Sequence, residues 1–416
     1  MSELRVGCGT SDITPGLGAF MAGYFHERNA TAVHDPLIAR TLVFDDGETR
    51  AAILVCDVIC IPHEIVAEIR RAVEEKTGFP GANVMVCATH THTGPRVRSD
   101  RIKEDAGPTR EWLAAFPNLA AEAVAEALTN MEACTLAGAS EFEDRIGFNR
   151  RYRMKDGTVQ TNPGYQNPNI LEPAGPIDPE VGVLTFTRAD GTIKAIHVNY
   201  ACHLDNVSGT ELSADYPGYL VNRVRELLPD EPAVIYTQGA CGDINHCDFR
   251  SSHPRKGHAH SRWMGETLAI DVSEAARKTE PLSAVPVRVA SETIQLPIRE
   301  GAEATITQTE IQAIRVGDVG FASIPAEYFV ELQLDIKARS PFASTYVAEL
   351  ANGWVGYIPT RKAFEENMGD VPVDKMADFD HLGYEVRSAL SMGFGPGIGE
   401  FMADTAVALL EKLHGE

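Results

Sequence analysis

Short runs of consecutive apolar residues alternate along this chain with longer stretches whose apolar positions recur every three to four residues. "RTLVFDD", "AAILVCDV" and "NVMVCATH" read as buried strands, and "HEIVAEIRRAVEEKTGF" between the last two carries helical spacing, which predicts a βαβ unit. A second set follows, with "VGVLTFTR", "IKAIHVNYACH" and "AVIYTQGA" as strands and "YPGYLVNRVRELLP" and "SRWMGETLAIDVSEAARK" as helices. The last third mixes the strands "VRVASETIQLP", "IQAIRVGDVGFASI" and "TYVAELA" with a helix from about Glu327 to Ala338 and a final helix "FMADTAVALLEKLH". The class expected is α/β, a mixed β-sheet core covered by helices.

Residues 94–110, 147–178 and 242–261 are rich in Gly, Pro, Asn, His and Arg and follow or separate strands, so they read as long functional loops. In open α/β sheets such loops gather at the carboxyl ends of the strands, where ligands bind. With no internal repeat, low-complexity tract or clear linker, residues 1–416 are expected to form a single domain.

Composition narrows the partners. The formal net charge of -22 repels phosphate backbones and anionic lipid surfaces, so nucleic acid and stable membrane association are disfavoured and a small-molecule substrate fits better. A homo-oligomer is compatible with the same composition. No apolar run reaches the roughly 18 residues a membrane span needs, and the start "MSELRVGCGTSDITPG" lacks the pattern of a secretion signal, which predicts a cytoplasmic protein. The eight cysteines lie mostly in apolar strands without paired CxxC spacing, as reduced structural thiols do.

Candidate chemistry sits at strand ends. In "CATHTHTGP", His90 and His92 are two residues apart; on an extended strand they would share a face and could address one centre, though a satisfied structural pair has the same spacing. His203 ends "HVNYACH". In "YTQGACGDINHCD" the small residues Gly239, Ala240 and Gly242 allow close backbone approach to a ligand, and Asp243, Asn245 and His246 supply polar groups, the first two as candidate catalytic groups; a turn with an Asp/Asn cap would look alike. Glu327 follows a strand in "FASIPAEYF", and Tyr357 follows Gly356 in "ANGWVGYIPT".

In this order the segments ATHTHTGP, AxH, QGxxGD, IPAE and NGWVGYIPT, followed by "GYEVRSALSMGFGPG", resemble the catalytic domain of the neutral, non-lysosomal ceramidases and their bacterial relatives. The openings "GCGTSDITPG" and "HDPLIARTLVF" extend the likeness over nearly the whole chain. The resemblance implies a zinc amidase site, a hydrolase of C–N bonds. His90, His203, Glu327 and Tyr357 would hold one Zn2+ per chain, and His92, not counted as a ligand in the family, would move protons or bind an oxyanion. Tyr384 matches an active-site tyrosine, and Asn149 and Arg150 match an Asn-Arg element that contacts substrate.

Departures from the family shape the substrate expectation. Asn245 stands where ceramidases carry a catalytic serine, so a metal-activated water is expected to do without one. "RVRSDRIKED" replaces a glycine-rich loop, and Arg96, Arg98 and Arg101 would form a positive funnel if they face the site, suiting a carboxylate-bearing substrate; a solvated loop is the competing view. The sequence ends soon after its final helix, so a C-terminal β-domain of the ceramidase kind is not expected. The function expected is hydrolysis of a small soluble amide, lactam or ester, with a metal-dependent lyase or isomerase, or a non-catalytic ligand binder, as alternatives.

Overall fold

The computed structural model of the chain describes residues 3–98, 107–368 and 383–416. The expected class is observed: an α/β fold in which a mixed nine-stranded sheet and a four-stranded sheet are covered by helices. Across the larger sheet the order is Ala233–Gln238, Ile193–Tyr200, Glu180–Arg188, Glu132–Phe142, Arg5–Asp12, Ile38–Asp45, Arg50–Cys56 and Val84–Ala88, with the short strand Glu280–Leu282 pairing beside Glu132–Phe142. The second sheet runs Val287–Gln295, Gln308–Val316, Val319–Ile324, Ser344–Glu349.

Three parallel pairs decide where chemistry can be placed. Arg50–Cys56 is parallel to Val84–Ala88, as the βαβ pattern predicts, with the helix His63–Thr77 as the crossover. Ile193–Tyr200 is parallel to Ala233–Gln238, and Val319–Ile324 to Ser344–Glu349. The two ends of the larger sheet approach each other: Ala233–Gln238 packs on Val84–Ala88, and Ser344–Glu349 lies against both. The carboxyl ends of all three pairs therefore meet in one region.

These strands form because their side chains are apolar on both faces: Val84 to Ala88 and Val319 to Ile324 are buried at every position. Each such Val or Ile withdrawn from water contributes about 1.5–3 kcal/mol before entropy is counted. The crossover helix buries Ile65, Val66, Ile69, Ala72 and Val73, spaced along one face, and ends at Gly78 in the left-handed conformation.

Several expectations are corrected. Residues 94–110 are not all loop, since a helix opens at Gly107 and runs to Thr129; residues 99–106 lie outside the described residues. The 147–178 segment holds a small three-stranded sheet of Arg151–Met154, Val159–Thr161 and Ile170–Pro173, and the 242–261 segment passes into a helix at His258. The helix expected from Glu327 begins at Val330, after a two-residue strand Glu327–Tyr328. "IQAIRVGDVGFASI" folds into two antiparallel strands that turn at Gly317 and Asp318. Arg5–Asp12 and Glu132–Phe142 were not anticipated as strands; the latter, "EACTLAGASEF", is built from small and polar residues that pair well but lack a β-branched signature.

Candidate metal centre

The strand carrying the HTH motif ends at Ala88, so His90 and His92 do not sit on an extended strand as their spacing suggested. His90 has φ +76°, a left-handed conformation uncommon for a residue with a Cβ, and the chain turns there. The turn is held by His90 N–H donating to the Val58 carbonyl at 2.9 Å and by His92 N–H donating to Leu204 at 3.1 Å. The two rings converge through this turn rather than through strand alternation, because neighbouring strand ends supply the acceptors that fix it.

Each of three histidines has one ring nitrogen committed to a backbone carbonyl. Nδ1 of His90 donates to Ile59 at 2.7 Å, that of His92 to Gly23 at 2.9 Å, and that of His203 to Cys241 at 2.9 Å. A carbonyl can only accept, so each Nδ1 carries the proton and each Nε2 presents its lone pair inward. These lone pairs face one another: His90 Nε2 is 2.9 Å from His203 Nε2 and 3.4 Å from His92 Nε2. Glu327 Oε2 completes the cluster at 3.5 Å from His90 and 3.7 Å from His203. His90 and His203 are buried, while His92 is half-buried.

Electrostatics agree with a cation at this point. Burial, reinforced by His90, pushes the His92 ring down to about 4, and burial with Arg150 holds His203 well below its usual value, so both are neutral bases at pH 7. Burial opposes charge on His90, but Glu327 outweighs it and raises that ring. Burial also disfavours the Glu327 carboxylate, and His90, His203 and Tyr357 offset this and keep it ionised. Three imidazoles with outward-tied Nδ1 atoms and an ionised carboxylate are the donor set of a zinc-class ion, so the residues fit a metal.

Around this centre, Trp354 Nε1 donates to Glu327 Oε1 at 3.1 Å and Tyr357 hydrogen-bonds to the same carboxylate. The strand register Glu327↔Tyr357 brings these two expected ligands side by side. Tyr384 packs edge-on to Tyr357 with ring centroids 5.1 Å apart. Arg150 lies over the Tyr357 ring at 5.4 Å, with its guanidinium tied to Glu385 and to the Gly242 carbonyl, both at 2.7 Å.

A cavity of about 160 Å³ opens onto His90 and Glu327 and is lined also by Tyr24, Arg96, Arg98 and Trp354. Arg96 and Arg98 thus face the site, and Arg98 stacks over Trp354 at 4.9 Å, whereas Arg101 lies outside the described residues. Asn149, Asp243 and Asn245 have scaffold contacts instead. Asp243 caps the 330–339 helix through Val330 N–H at 2.9 Å and accepts from Asn149 at 2.8 Å, and burial raises its carboxyl to about 6. The Asn245 amide donates to Asn162 and accepts from Cys247 N–H, both at 3.0 Å. Gly242 does make a close backbone approach, but to protein: a Cβ there would stand 2.5 Å from the Glu327 carbonyl oxygen, so the glycine serves the packing of two site segments rather than a ligand.

Four contributors were not singled out in the sequence. Trp354 lies inside a motif read for its tyrosine. Glu349 is a lone acid in the apolar run "TYVAELA", a pattern that signals a buried, hydrogen-bonded carboxylate. Gly23 and Tyr24 come from a segment remote in sequence, and nothing local marks them.

Comparison with known proteins places this geometry. The family model described as neutral/alkaline non-lysosomal ceramidase, N-terminal, matches residues 4–220. Among solved structures, one titled as a ceramidase complexed with C2 superposes with a TM-score of 0.79 at 17% identity, covering 100% of this chain and 76% of that one. A neutral ceramidase from Pseudomonas aeruginosa superposes with a TM-score of 0.73 at 18% identity, covering 99% and 75%. At such identities the superpositions speak for the fold.

Proposed function

The chain belongs to the neutral/alkaline non-lysosomal ceramidase family, and from that premise we propose that it is a zinc-dependent hydrolase of an amide-type bond, whether amide, lactam or ester, in a small polar or carboxylate-bearing substrate. The observation that carries this is the meeting of three imidazole Nε2 lone pairs and a carboxylate, with every Nδ1 already committed to a carbonyl. His90, His203, Glu327 and Tyr357 would hold one Zn2+ at this centre. Zinc bound there supplies Lewis acidity toward a carbonyl oxygen and lowers the pKa of water to about 7.

The chain's own residues do the rest. His92, neutral and half-buried beside the centre, accepts a proton at Nε2 and returns it to the leaving group. Tyr384 donates a hydrogen bond to the carbonyl oxygen as charge builds on it. Arg150 positions Tyr357 through its stacked guanidinium, while Arg96 and Arg98 draw a carboxylate into the cavity. With the Asn245 amide engaged on Asn162 and Cys247, no side-chain nucleophile is needed at the family's serine position.

Three dispersed segments, around His90, His203 and Glu327, build one centre, which supports reading residues 1–416 as one catalytic domain. No helix among the described residues is long and apolar enough to cross a membrane. All eight cysteines are free, which favours a reducing compartment, the cytoplasm.

The test is elemental analysis and a screen of amides, lactams and esters before and after chelation. Zinc should restore activity to the stripped protein, and His203→Ala should lose both this zinc and turnover. His203→Ala with undiminished zinc and activity would overturn the proposal. Absence of label in product formed in isotopic water would instead favour a lyase or isomerase.

A further inference from the structure

We propose that His34, Glu211 and His258 form a second metal site on the surface, separate from the buried centre and suited to a zinc-class divalent cation. One donor atom from each of the three side chains lies within 4.8 Å of the other two. They come from three parts of the chain. His34 follows the strand Ala32–Val33, which pairs in parallel with Glu211–Leu212, and His258 opens the helix His258–Ala276.

The rings of His34 and His258 stack with centroids 3.6 Å apart and planes 30° from parallel. The Glu211 carboxylate stands 3.8 Å from His258 Nε2, and His258 Nδ1 is buried with no hydrogen-bond partner. Beside His34 Nε2 are the Tyr219 hydroxyl at 2.9 Å and Asp35 Oδ1 at 3.9 Å, which add a polar and a negative neighbour. Two imidazoles and one carboxylate are zinc donors, and the partial exposure of all three leaves the remaining position to water. A ring stack would explain the contact between the two histidines alone, but not why a carboxylate from a third segment joins it.

The location gives such a cation a role. His34 N–H and Asp35 N–H both donate to the Leu212 carbonyl, and the Asp35 carboxylate holds Ser213 Oγ at 2.7 Å and Ala214 N–H at 2.6 Å. Ser213 in turn accepts from Thr91 Oγ1 at 2.6 Å and from Thr93 Oγ1 at 3.0 Å. A cation tying residue 34 to 211 and 258 therefore braces the strand from which the His90–His92 turn hangs.

The experiment uses the full chain, stripped by a chelator and titrated with zinc chloride, with stoichiometry by elemental analysis and thermal midpoints in parallel. Wild type should take up two equivalents, and the paired substitution His34→Gln with His258→Gln should take up one. In a His203→Ala background the same pair should remove one further equivalent and abolish the zinc-induced rise in midpoint. Both histidines are partly exposed, and circular dichroism checks that the variants fold. Uptake unchanged by the pair in both backgrounds would overturn the surface site and leave the buried centre standing. Loss on substituting the pair but not His203 would do the reverse.

Discussion

Glu349 holds Cys241 at two points, accepting its backbone N–H at 2.9 Å and its thiol at 2.7 Å. The same carboxylate accepts Tyr328 N–H at 3.0 Å. Because the Cys241 carbonyl fixes His203 Nδ1 and Tyr328 follows Glu327, one buried acid positions two segments of the metal centre. Glu349→Ala strands two buried N–H groups, each costing about 1–3 kcal/mol, and should weaken zinc binding by about 10–100-fold. Burial raises the Glu349 carboxyl to about 7 against the pull of His90 and its donors, so Glu349→Gln, which resembles the protonated acid, should retain most stability. Thermal midpoints and competition against a chromogenic chelator read both effects.

Gly23 has φ +97°, and a Cβ there would stand 2.6 Å from that of His92. Its carbonyl also accepts from His92 Nδ1. Gly23→Ala should push His92 away while leaving His90 and His203 in place. The expected result is a fall in kcat of about 100-fold, the scale of a 1 Å misplacement at a reacting group, with zinc content preserved. Loss of zinc in proportion to activity would instead make His92 a ligand.

The parallel strands were legible because they are short, largely apolar runs, and their carboxyl ends marked where His90, His203 and Glu327 would lie. What escaped sequence reasoning depends on tertiary partners. Thr-His alternation looks like a strand, yet the acceptors at Val58, Ile59 and Leu204 pull the HTH segment into a turn at His90. Glu132–Phe142 becomes a strand in the middle of the larger sheet because neighbours on both sides complete its hydrogen bonds, not through its own propensity. The scaffold contacts of Asn149 and Asn245 likewise follow from which carbonyls and amides the fold brings beside them.

Arg96 and Arg98 line the cavity on a protein whose formal net charge is -22, so their local field should select substrate charge. Replacing either with Gln should raise KM for a carboxylate-bearing substrate by about 10–100-fold, the worth of a charge-assisted hydrogen bond of about 1.5–3 kcal/mol. The matching primary amide should be little affected, and added salt should narrow the difference between the two substrates. Equal losses on charged and uncharged substrates would show that the arginines act on the cavity's shape alone.

The buried His246 and the half-buried Asp205 form a close pair with Nδ1 and Oδ1 3.0 Å apart. Burial disfavours the charged ring, but Asp205, with a smaller share from Cys247, more than offsets it and raises His246 from 6.5 to about 10. Asp205, half-buried, is held well below the usual carboxylate range because His246 outweighs the cost of desolvation, so it stays ionised throughout this window. A folded pKa above the unfolded one means that the stabilisation is complete below pH 6.5 and is lost as pH climbs through about 10. The slope is at most about 1.4 kcal/mol per pH unit. His246→Gln removes the titrating group, so the stability advantage of wild type over the variant, measured by urea unfolding at constant ionic strength, should shrink steadily across that interval. An advantage that stays flat from neutral to alkaline pH would mean that the ring is uncharged in the fold.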